Sequence, residues 1–204
     1  MNAAKRPALV IAVDGPSGAG KSSTSREVAT RLDCCYLDSG SMYRALTVWC
    51  SDHGIPADDE EAVITATAQL PMEITTSPKQ FAIRLDGVDI TERLHQPEVS
   101  GMVSGYARIR AARNLLNSRM REIITNAGRI IVEGRDITTV VAPDADLRIL
   151  LQADPQRRIA RREAELAGAA DTKTVTEQVI GRDAADAESS EFETAANGVV
   201  LIDS

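Results

Sequence analysis

The segment that most constrains the fold of this chain matches the pattern G-x4-G-K-[ST] between two predicted regular elements. Its members are Gly15, Pro16, Ser17, Gly18, Ala19, Gly20, Lys21 and Ser22, with Ser23 directly behind them. An apolar run of strand length (residues 8–13) precedes it, and a helix-compatible run follows it. Glycines in such a turn let backbone N–H groups converge on an anion, and the N-terminus of the following helix adds the positive end of its dipole. We therefore predict a nucleotide-binding P-loop, in which Lys21 reaches the β- and γ-phosphates and the Ser22 hydroxyl binds Mg²⁺.

Four further apolar runs of strand length follow along the 204-residue chain, separated by longer helix-compatible stretches. They lie at residues 34–37, 129–132, 147–151 and 199–202. Continuous apolar character, without alternation, is typical of strands that are buried on both faces in a parallel sheet. The sequence therefore predicts a single α/β domain over residues 1–204, with a doubly wound, five-stranded parallel sheet and helices on both faces.

Two segments interrupt this alternation of strands and helices. Residues 72–93 alternate apolar and polar side chains around Asp86-Gly87, which is a strong hairpin signal, and they predict a small β insert. A long helix-compatible stretch, roughly residues 97–126, follows the insert. Residues 155–190 begin with the arginine-dense PQRRIARREAELAG and end in an acidic tract, so we predict a helical lid there.

Charge, hydropathy and cysteine content exclude several classes of protein. A formal net charge of −7 argues against nucleic acid or an anionic membrane as a partner. No run approaches eighteen consecutive apolar residues, and the N-terminal sequence lacks the features of a secretory signal. We interpret the odd set Cys34, Cys35 and Cys50, which lacks metal-ligand spacing to either histidine, as small buried residues in a reducing compartment. We therefore predict a cytoplasmic protein and, because no large apolar surface stripe stands out, a monomer.

A P-loop alone does not distinguish GTPases, ATPases and small-molecule kinases. The chain lacks the [NT]-K-x-D tetrapeptide with which regulatory GTPases read guanine, and it lacks a long apolar strand ending in Asp-Glu, as in motor ATPases and helicases. The class that remains is a kinase for a small acceptor, which must hold a second anionic substrate beside ATP. The sequence has nineteen arginines against four lysines, and arginine binds phosphate through a bidentate fork. Genome base composition is an alternative explanation of this bias.

Two further segments resemble motifs of the bacterial cytidylate kinases. The segment Leu37-Asp38-Ser39-Gly40-Ser41-Met42-Tyr43-Arg44 is similar to the LDSGAMYR-type motif of that family. The segment Glu133-Gly134-Arg135-Asp136-Ile137-Thr138-Thr139-Val140-Val141 is similar to its GRDxGTVV pattern. The P-loop and the β insert also resemble the family, so the likeness covers nearly the whole chain in order. It implies a nucleoside monophosphate (NMP) binding region at about residues 38–110, with the insert at 72–93 inside it.

The resemblance also implies a set of CMP-binding residues. Those outside the lid are Ser39, Arg44, Ser100, Arg110, Arg135 and Asp136. In this set Arg44 and Arg135 meet phosphate, Asp136 contacts the cytosine and Arg110 helps to read the base. The family's assisting serine, about nine residues before that arginine, falls on Gly101 here; we assign its role to the adjacent Ser100, and Ser104 lies further along.

Four arginines at positions 157, 158, 161 and 162 lie on one arc of the predicted lid helix. Like charges stacked at i,i+4 destabilise a helix mildly unless an anion lies between them, so we predict that Arg158, Arg161 and Arg162 close on the transferring phosphoryl group. The alternative is a solvated face that nearby glutamates neutralise. The resemblance implies further that Arg182 is both catalytic and CMP-binding and that Asp186 binds the ribose. The family's RDxxDSxR pattern has a second arginine where Ser189 stands here.

Together these features predict a cytidylate kinase that transfers the γ-phosphoryl group of MgATP to CMP or dCMP without a general base. Lys21 and Arg135 are the predicted catalytic residues outside the lid. The predicted cofactor is Mg²⁺, with Ser22 as a ligand and Asp14, Asp38 or Asp136 as candidates for a protein carboxylate. Alternative acceptors are UMP, shikimate and dephospho-coenzyme A, and a non-catalytic nucleotide-binding protein is a further alternative.

Overall fold

The computed structural model describes the backbone of residues 7–166 and 194–204 and the side chains of residues 7–161 and 194–204. Its strands are β1 (Leu9–Asp14), β2 (Cys35–Asp38), β3 (Met72–Ile74), β4 (Ile83–Leu85), β5 (Val88–Asp89), β6 (Arg129–Gly134), β7 (Leu147–Gln152) and β8 (Val200–Asp203). Its α-helices are α1 (Lys21–Leu32), α2 (Ser39–Asp52), α3 (Glu60–Ala68), α4 (Pro97–Ala107), α5 (Arg110–Ala127) and α6 (Pro155–Leu166). A 3-10 helix (Thr91–His95) precedes α4, and a π-helical turn (Ile137–Val141) follows β6.

The five predicted core strands form one parallel sheet in the order β2-β6-β1-β7-β8, which confirms the predicted fold class. Side chains alternate between its two faces, as the period of a strand requires. Ala12, Ile130 and Val132 pack into a core with α2 and α5, whereas Ile11 and Ile131 pack into a second core with α1. Helices therefore cover both faces, and the P-loop strand β1 lies in the middle of the sheet.

The predicted β insert forms a separate antiparallel sheet in the order β3-β4-β5. Asp86 and Gly87 connect β4 to β5, and both have positive φ (48° and 75°), as a two-residue type I′ hairpin requires. The Tyr36 amide of β2 donates to the Thr76 carbonyl just after β3 at 2.8 Å, so the segment beside the insert is fastened to the edge of the central sheet.

The long stretch at 97–126 is two helices rather than one. The chain breaks between α4 and α5 at Ile109, whose φ of −71° and ψ of 106° are extended. The extended conformation places the Ile109 side chain in the same core as Tyr106, and both are buried. Burial of Ile109 in the core therefore accounts for the break between the two helices.

Candidate active site

The carboxyl ends of β1, β2 and β6 open into a cavity of about 240 Å³. This is the position at which a doubly wound parallel sheet holds its ligands. Ten of the residues that the sequence singled out line this cavity: Ser17, Gly18, Gly20, Lys21, Ser22, Ser23, Ser39, Arg44, Arg135 and Asp136. The P-loop and the two motif segments are therefore parts of one site.

The P-loop has the backbone conformation that its glycines predict. Gly15 has a φ of 152°, and a Cβ there would overlap the Leu151 carbonyl oxygen of β7, so only glycine fits. Gly20 has a φ of 88° and directly precedes α1, whose N-terminus points into the cavity through Lys21 and Ser22. The Lys21 ammonium donates to the Pro16 carbonyl oxygen at 3.0 Å, which holds the side chain across the loop.

Glu133 at the end of β6 is the main feature of the site that the sequence interpretation missed. Its side chain is 2% exposed and accepts hydrogen bonds from the Tyr36 and Ser22 hydroxyls. Burial and, after it, the nearby Asp38 carboxylate together raise the pKa of Glu133 to about 7, against the opposing effect of Lys21. Its signal in the sequence is an acidic residue directly after the apolar run 129–132, next to the glycine of the second motif.

Asp14, a candidate magnesium ligand in the sequence interpretation, is part of the scaffold instead. Its carboxylate accepts hydrogen bonds from the backbone amides of Ile137 (2.9 Å) and Thr138 (2.8 Å) and from the Thr138 hydroxyl (2.6 Å). Burial raises the pKa of Asp14, while these three donors act against the rise. The carboxylate thus fixes the π-helical turn directly after Arg135 and Asp136, which explains how β1 positions the second motif.

The first motif begins α2 at the opposite wall of the cavity. Asp38 caps this helix by accepting from the Ser41 amide at 3.2 Å and the Ser41 hydroxyl at 2.5 Å. Arg44, one turn further on, is only 8% exposed, and its guanidinium lies beside Gly40. Ser39 is also buried and lies against Gly134. The cap therefore fixes the start of the helix that carries Arg44 into the cavity.

The arginine beside Asp136 is Arg113 and not Arg110. The side chains of Arg113 and Asp136 form an ion pair and are 15% and 7% exposed. Arg113 also donates to the Ala107 carbonyl at 3.2 Å, and its guanidinium lies 5.8 Å from the Tyr43 ring centroid. Arg110, the first residue of α5, is exposed and does not line the cavity.

Ser100, the serine assigned to assist that arginine, also lies outside the cavity. The Ser100 hydroxyl is buried but does not line the cavity, which α4 reaches through Val103 and Ala107 one and two turns later. The spacing of nine residues that the family pattern requires also joins Ser104 to Arg113. Applied from Arg113, that spacing would have selected Ser104, which is partly buried on α4.

Two arginines at the start of the predicted lid, Arg158 and Arg161, contact the backbone of the P-loop. Arg158 is buried and donates to the Ser17 carbonyl at 3.0 Å, and Arg161 donates to the Ala19 carbonyl at 3.3 Å. The Ser204 hydroxyl also donates to Ala19, at 3.0 Å. The side chain of Arg162, and residues Arg182, Asp186 and Ser189, lie outside the described part of the chain. These contacts tie the start of α6 to the loop that carries Lys21.

Comparison with known proteins agrees with this architecture. Residues 11–204 match the family model described as cytidylate kinase. The chain is 47% identical to the cytidylate kinase of Cutibacterium acnes over 96% of its length and 88% of that protein. It is 42% identical to the cytidylate kinase of Streptomyces avermitilis, over 88% of this chain and 78% of that one. For Corynebacterium efficiens the identity is 44%, with coverages of 87% and 79%. Within the described residues, no helix has both the length and the hydropathy to cross a membrane. The resemblance found in the motifs is confirmed, and the chain belongs to the cytidylate kinase family.

Proposed function

We propose that this chain transfers the γ-phosphoryl group of ATP to CMP or dCMP, giving ADP and CDP or dCDP. The observation that carries the proposal is the convergence, in one cavity, of a P-loop and a cluster of arginines beside a buried carboxylate. The P-loop accounts for the donor, and Arg44, Arg113, Arg135 and Asp136 account for an acceptor with both a phosphate and a base. Membership of the cytidylate kinase family supports the choice of cytidine.

The acceptor wall has the hydrogen-bonding groups that cytosine requires. The Asp136 carboxylate can accept from the exocyclic amino group of the base, and the Arg113 guanidinium can donate to the ring nitrogen and the carbonyl oxygen. Arg44 and Arg135 line the same cavity and supply positive charge for the CMP phosphate. We retain Ser39 as a contact of this wall, and we replace Arg110 and Ser100 by Arg113 and Ser104 in the proposed set.

The reaction needs alignment and charge neutralisation rather than proton abstraction. The attacking oxygen belongs to a phosphate that is already ionised at neutral pH, so no general base is required. Lys21 and the P-loop amides hold the donor phosphates, while Arg44 and Arg135 hold the acceptor against them. Because these groups are fixed before the reaction, they stabilise charge that develops in the transition state without reorganising.

The residues beside Lys21 fit a magnesium ion that is bound together with ATP. Ser22 lines the cavity and its hydroxyl donates to the Glu133 carboxylate, and the Asp38 carboxylate lies near Glu133 in the same cavity. Oxygen ligands of this kind suit Mg²⁺, which in phosphoryl-transfer sites takes one or two protein oxygens and completes its shell with phosphates and water. When bound, the ion neutralises charge on the phosphates. We propose Ser22 as its protein ligand and Glu133 as the carboxylate that orients Ser22.

The larger organisation of the molecule is proposed on the same basis. We propose that residues 38–110 form the NMP-binding region around the β insert and that residues 155–190 form a lid, of which the structure describes only the start. Arg182 and Asp186 are proposed as acceptor contacts from that segment. We propose a monomeric enzyme, because one chain supplies every group named above.

An acceptor screen with ATP tests the proposed reaction. ADP formation is measured in a coupled assay with CMP, dCMP, UMP, AMP, shikimate and dephospho-coenzyme A, with Lys21→Met as the inactive control. We expect kcat/KM to be highest for CMP or dCMP and at least tenfold lower for the other acceptors. A preference for another acceptor would assign the site to that kinase class. ATP binding without ADP formation from any acceptor would favour a non-catalytic nucleotide-binding protein.

A further inference from the structure

Tyr36 lies at the centre of β2, away from the cavity, and makes a buried contact with the site. The side chain is completely buried, and its hydroxyl donates to Glu133 on the adjacent strand β6. Burial raises the pKa of Tyr36 far above its ordinary value, and the Glu133 and Asp38 carboxylates raise it further. The phenol is therefore a permanent neutral donor at physiological pH. Its partner Glu133 in turn accepts a hydrogen bond from the Ser22 hydroxyl of the P-loop.

Contacts from helix α1 and from the segment between β3 and β4 hold Tyr36 in place. The guanidinium of Arg26 on α1 lies over two aromatic rings, 5.1 Å from the Tyr36 centroid and 5.0 Å from the Phe81 centroid. Phe81 lies two residues before β4 of the insert. The Tyr36 amide, as described above, donates to Thr76 on the other side of the same loop. The half-buried Arg26 guanidinium therefore makes cation–π contacts with both rings and links Tyr36 to Phe81.

The orientation of the Ser22 hydroxyl depends on this chain of contacts. A serine hydroxyl has one proton and two lone pairs, so donation to Glu133 turns the lone pairs toward the cavity. The hydrogen bond from Ser22 to Glu133 has a fixed direction only when the Glu133 carboxylate cannot rotate. The Tyr36 hydroxyl is the second side-chain donor to this carboxylate, beside Ser22, and comes from a different strand. Partners of this kind set the direction of the groups that ligate a metal.

We propose that Tyr36 is a positioning residue for the metal-binding side of the P-loop, acting through Glu133 on the Ser22 hydroxyl. The path runs from Phe81 beside the β insert through Arg26 and Tyr36 to Glu133 and the P-loop. It therefore connects the region proposed to bind the acceptor with the group proposed to bind the metal of the donor. The inference rests on the proposed function, because it assumes that MgATP is the donor.

The test compares Tyr36→Phe with the matched control Tyr106→Phe. Both substitutions remove one hydroxyl from a buried tyrosine and keep its ring; the Tyr106 hydroxyl donates to the Ile55 carbonyl at 2.8 Å, outside the cavity. Calorimetry measures the affinity for ADP twice, in millimolar Mg²⁺ and in EDTA. We expect the ratio of these affinities to fall about tenfold in Tyr36→Phe, since loss of an outer partner typically weakens metal affinity 10- to 100-fold. The affinity in EDTA should stay within about twofold, and Tyr106→Phe should leave the ratio unchanged.

A double variant separates positioning from a general loss of packing. Glu133→Gln should also lower the Mg²⁺-dependent ratio, and adding Tyr36→Phe to it should lower the ratio little further, because Tyr36 acts through Glu133. The proposal is overturned if Tyr36→Phe weakens ADP binding equally in Mg²⁺ and in EDTA, if it behaves as Tyr106→Phe, or if the two losses add. Failure of the proposed function is distinct from these outcomes, because it is seen in the wild-type chain as an absence of CMP-dependent ADP formation.

Discussion

The donor and acceptor halves of the cavity are built in different ways. One continuous segment, residues 15–23, forms most of the donor half; β7 approaches it closely at Gly15, and arginine side chains of α6 donate to its carbonyl oxygens. Side chains from α2, α5 and the segment after β6 form the acceptor half, and these come from regions up to about a hundred residues apart. A local backbone motif therefore defines one half, whereas tertiary packing defines the other.

This difference predicts different responses to substitution. In the donor half, backbone amides bind the phosphates together with Lys21, so most other side chains there affect the site through the shape of the loop. In the acceptor half, the proposed recognition depends on the Arg113–Asp136 ion pair and on Arg44, all of which are largely buried. Removing one member of a buried pair leaves the other uncompensated, and we expect acceptor binding to be the more sensitive.

The largest effect is expected for Arg113→Met compared with Arg110→Met. Loss of Arg113 removes charge-assisted hydrogen bonds worth about 1.5–3 kcal/mol, so the KM for CMP should rise about 10- to 150-fold. The KM for ATP should change by less than about threefold, because the contacts described above for Arg113 are with Asp136, Ala107 and Tyr43, which lie outside the P-loop. Steady-state kinetics with each substrate varied in turn measure both constants.

Arg110→Met is the control for this comparison. Arg110 is exposed on the same helix and does not line the cavity, so its loss should change either KM by less than about twofold. Thermal melting of both variants shows whether the fold is retained. A large rise in the KM for CMP in Arg110→Met, with Arg113→Met unaffected, would restore the assignment made from the sequence and contradict the one made from the structure.

A smaller effect, and on the donor half only, is expected for Arg158→Met. Arg158 donates to the Ser17 carbonyl, and leaving that oxygen without the contact costs about 1 kcal/mol of loop order. The KM for ATP should therefore rise about fivefold, while the KM for CMP stays within about twofold. Arg157→Met is the matched control, since Arg157 is exposed on the same turn of α6. Equal rises in both constants would mean that the two halves are coupled through α6.

The sequence was sufficient for the features that local physics determines. Continuous apolar runs located all five strands of the central sheet, and Asp86-Gly87 located the hairpin of the insert, because strand burial and turn geometry are properties of neighbouring residues. The break before α5 was not predictable in this way, since Ile109 is compatible with a helix and only the core makes it extended. The resemblance selected Arg110, whereas the structure places Arg113 of the same helix beside Asp136.

Glu133 and Tyr36 show the same limit inside the site. In the sequence, Tyr36 belongs to an apolar run and is typical of a core residue, and nothing local indicates that its hydroxyl meets a carboxylate 97 positions away. Adjacent parallel strands bring the two together, because β2 pairs with β6. The function of a motif residue can be predicted from its pattern, but the groups that orient it depend on which strands are neighbours.

The smallest effect is expected at the surface of the acceptor half, where Arg93 of the 3-10 helix forms a bidentate pair with Asp52 at the end of α2 (2.7 and 2.8 Å). Both side chains are 43% exposed, so Asp52→Asn should lower the free energy of unfolding by less than about 1 kcal/mol at pH 7.

The hydrogen bond from Arg93 lowers the pKa of Asp52 below its ordinary 3.8. The carboxylate therefore stabilises the folded state above pH 3.8, and this contribution is lost as the pH falls through the lowered pKa. Urea unfolding of both proteins from pH 7 downward should give a constant difference that shrinks only below about pH 3.8 and is reduced by added salt. If Asp52→Asn instead changed the KM for CMP severalfold, the acceptor half would depend on its surface as well as on its buried charges.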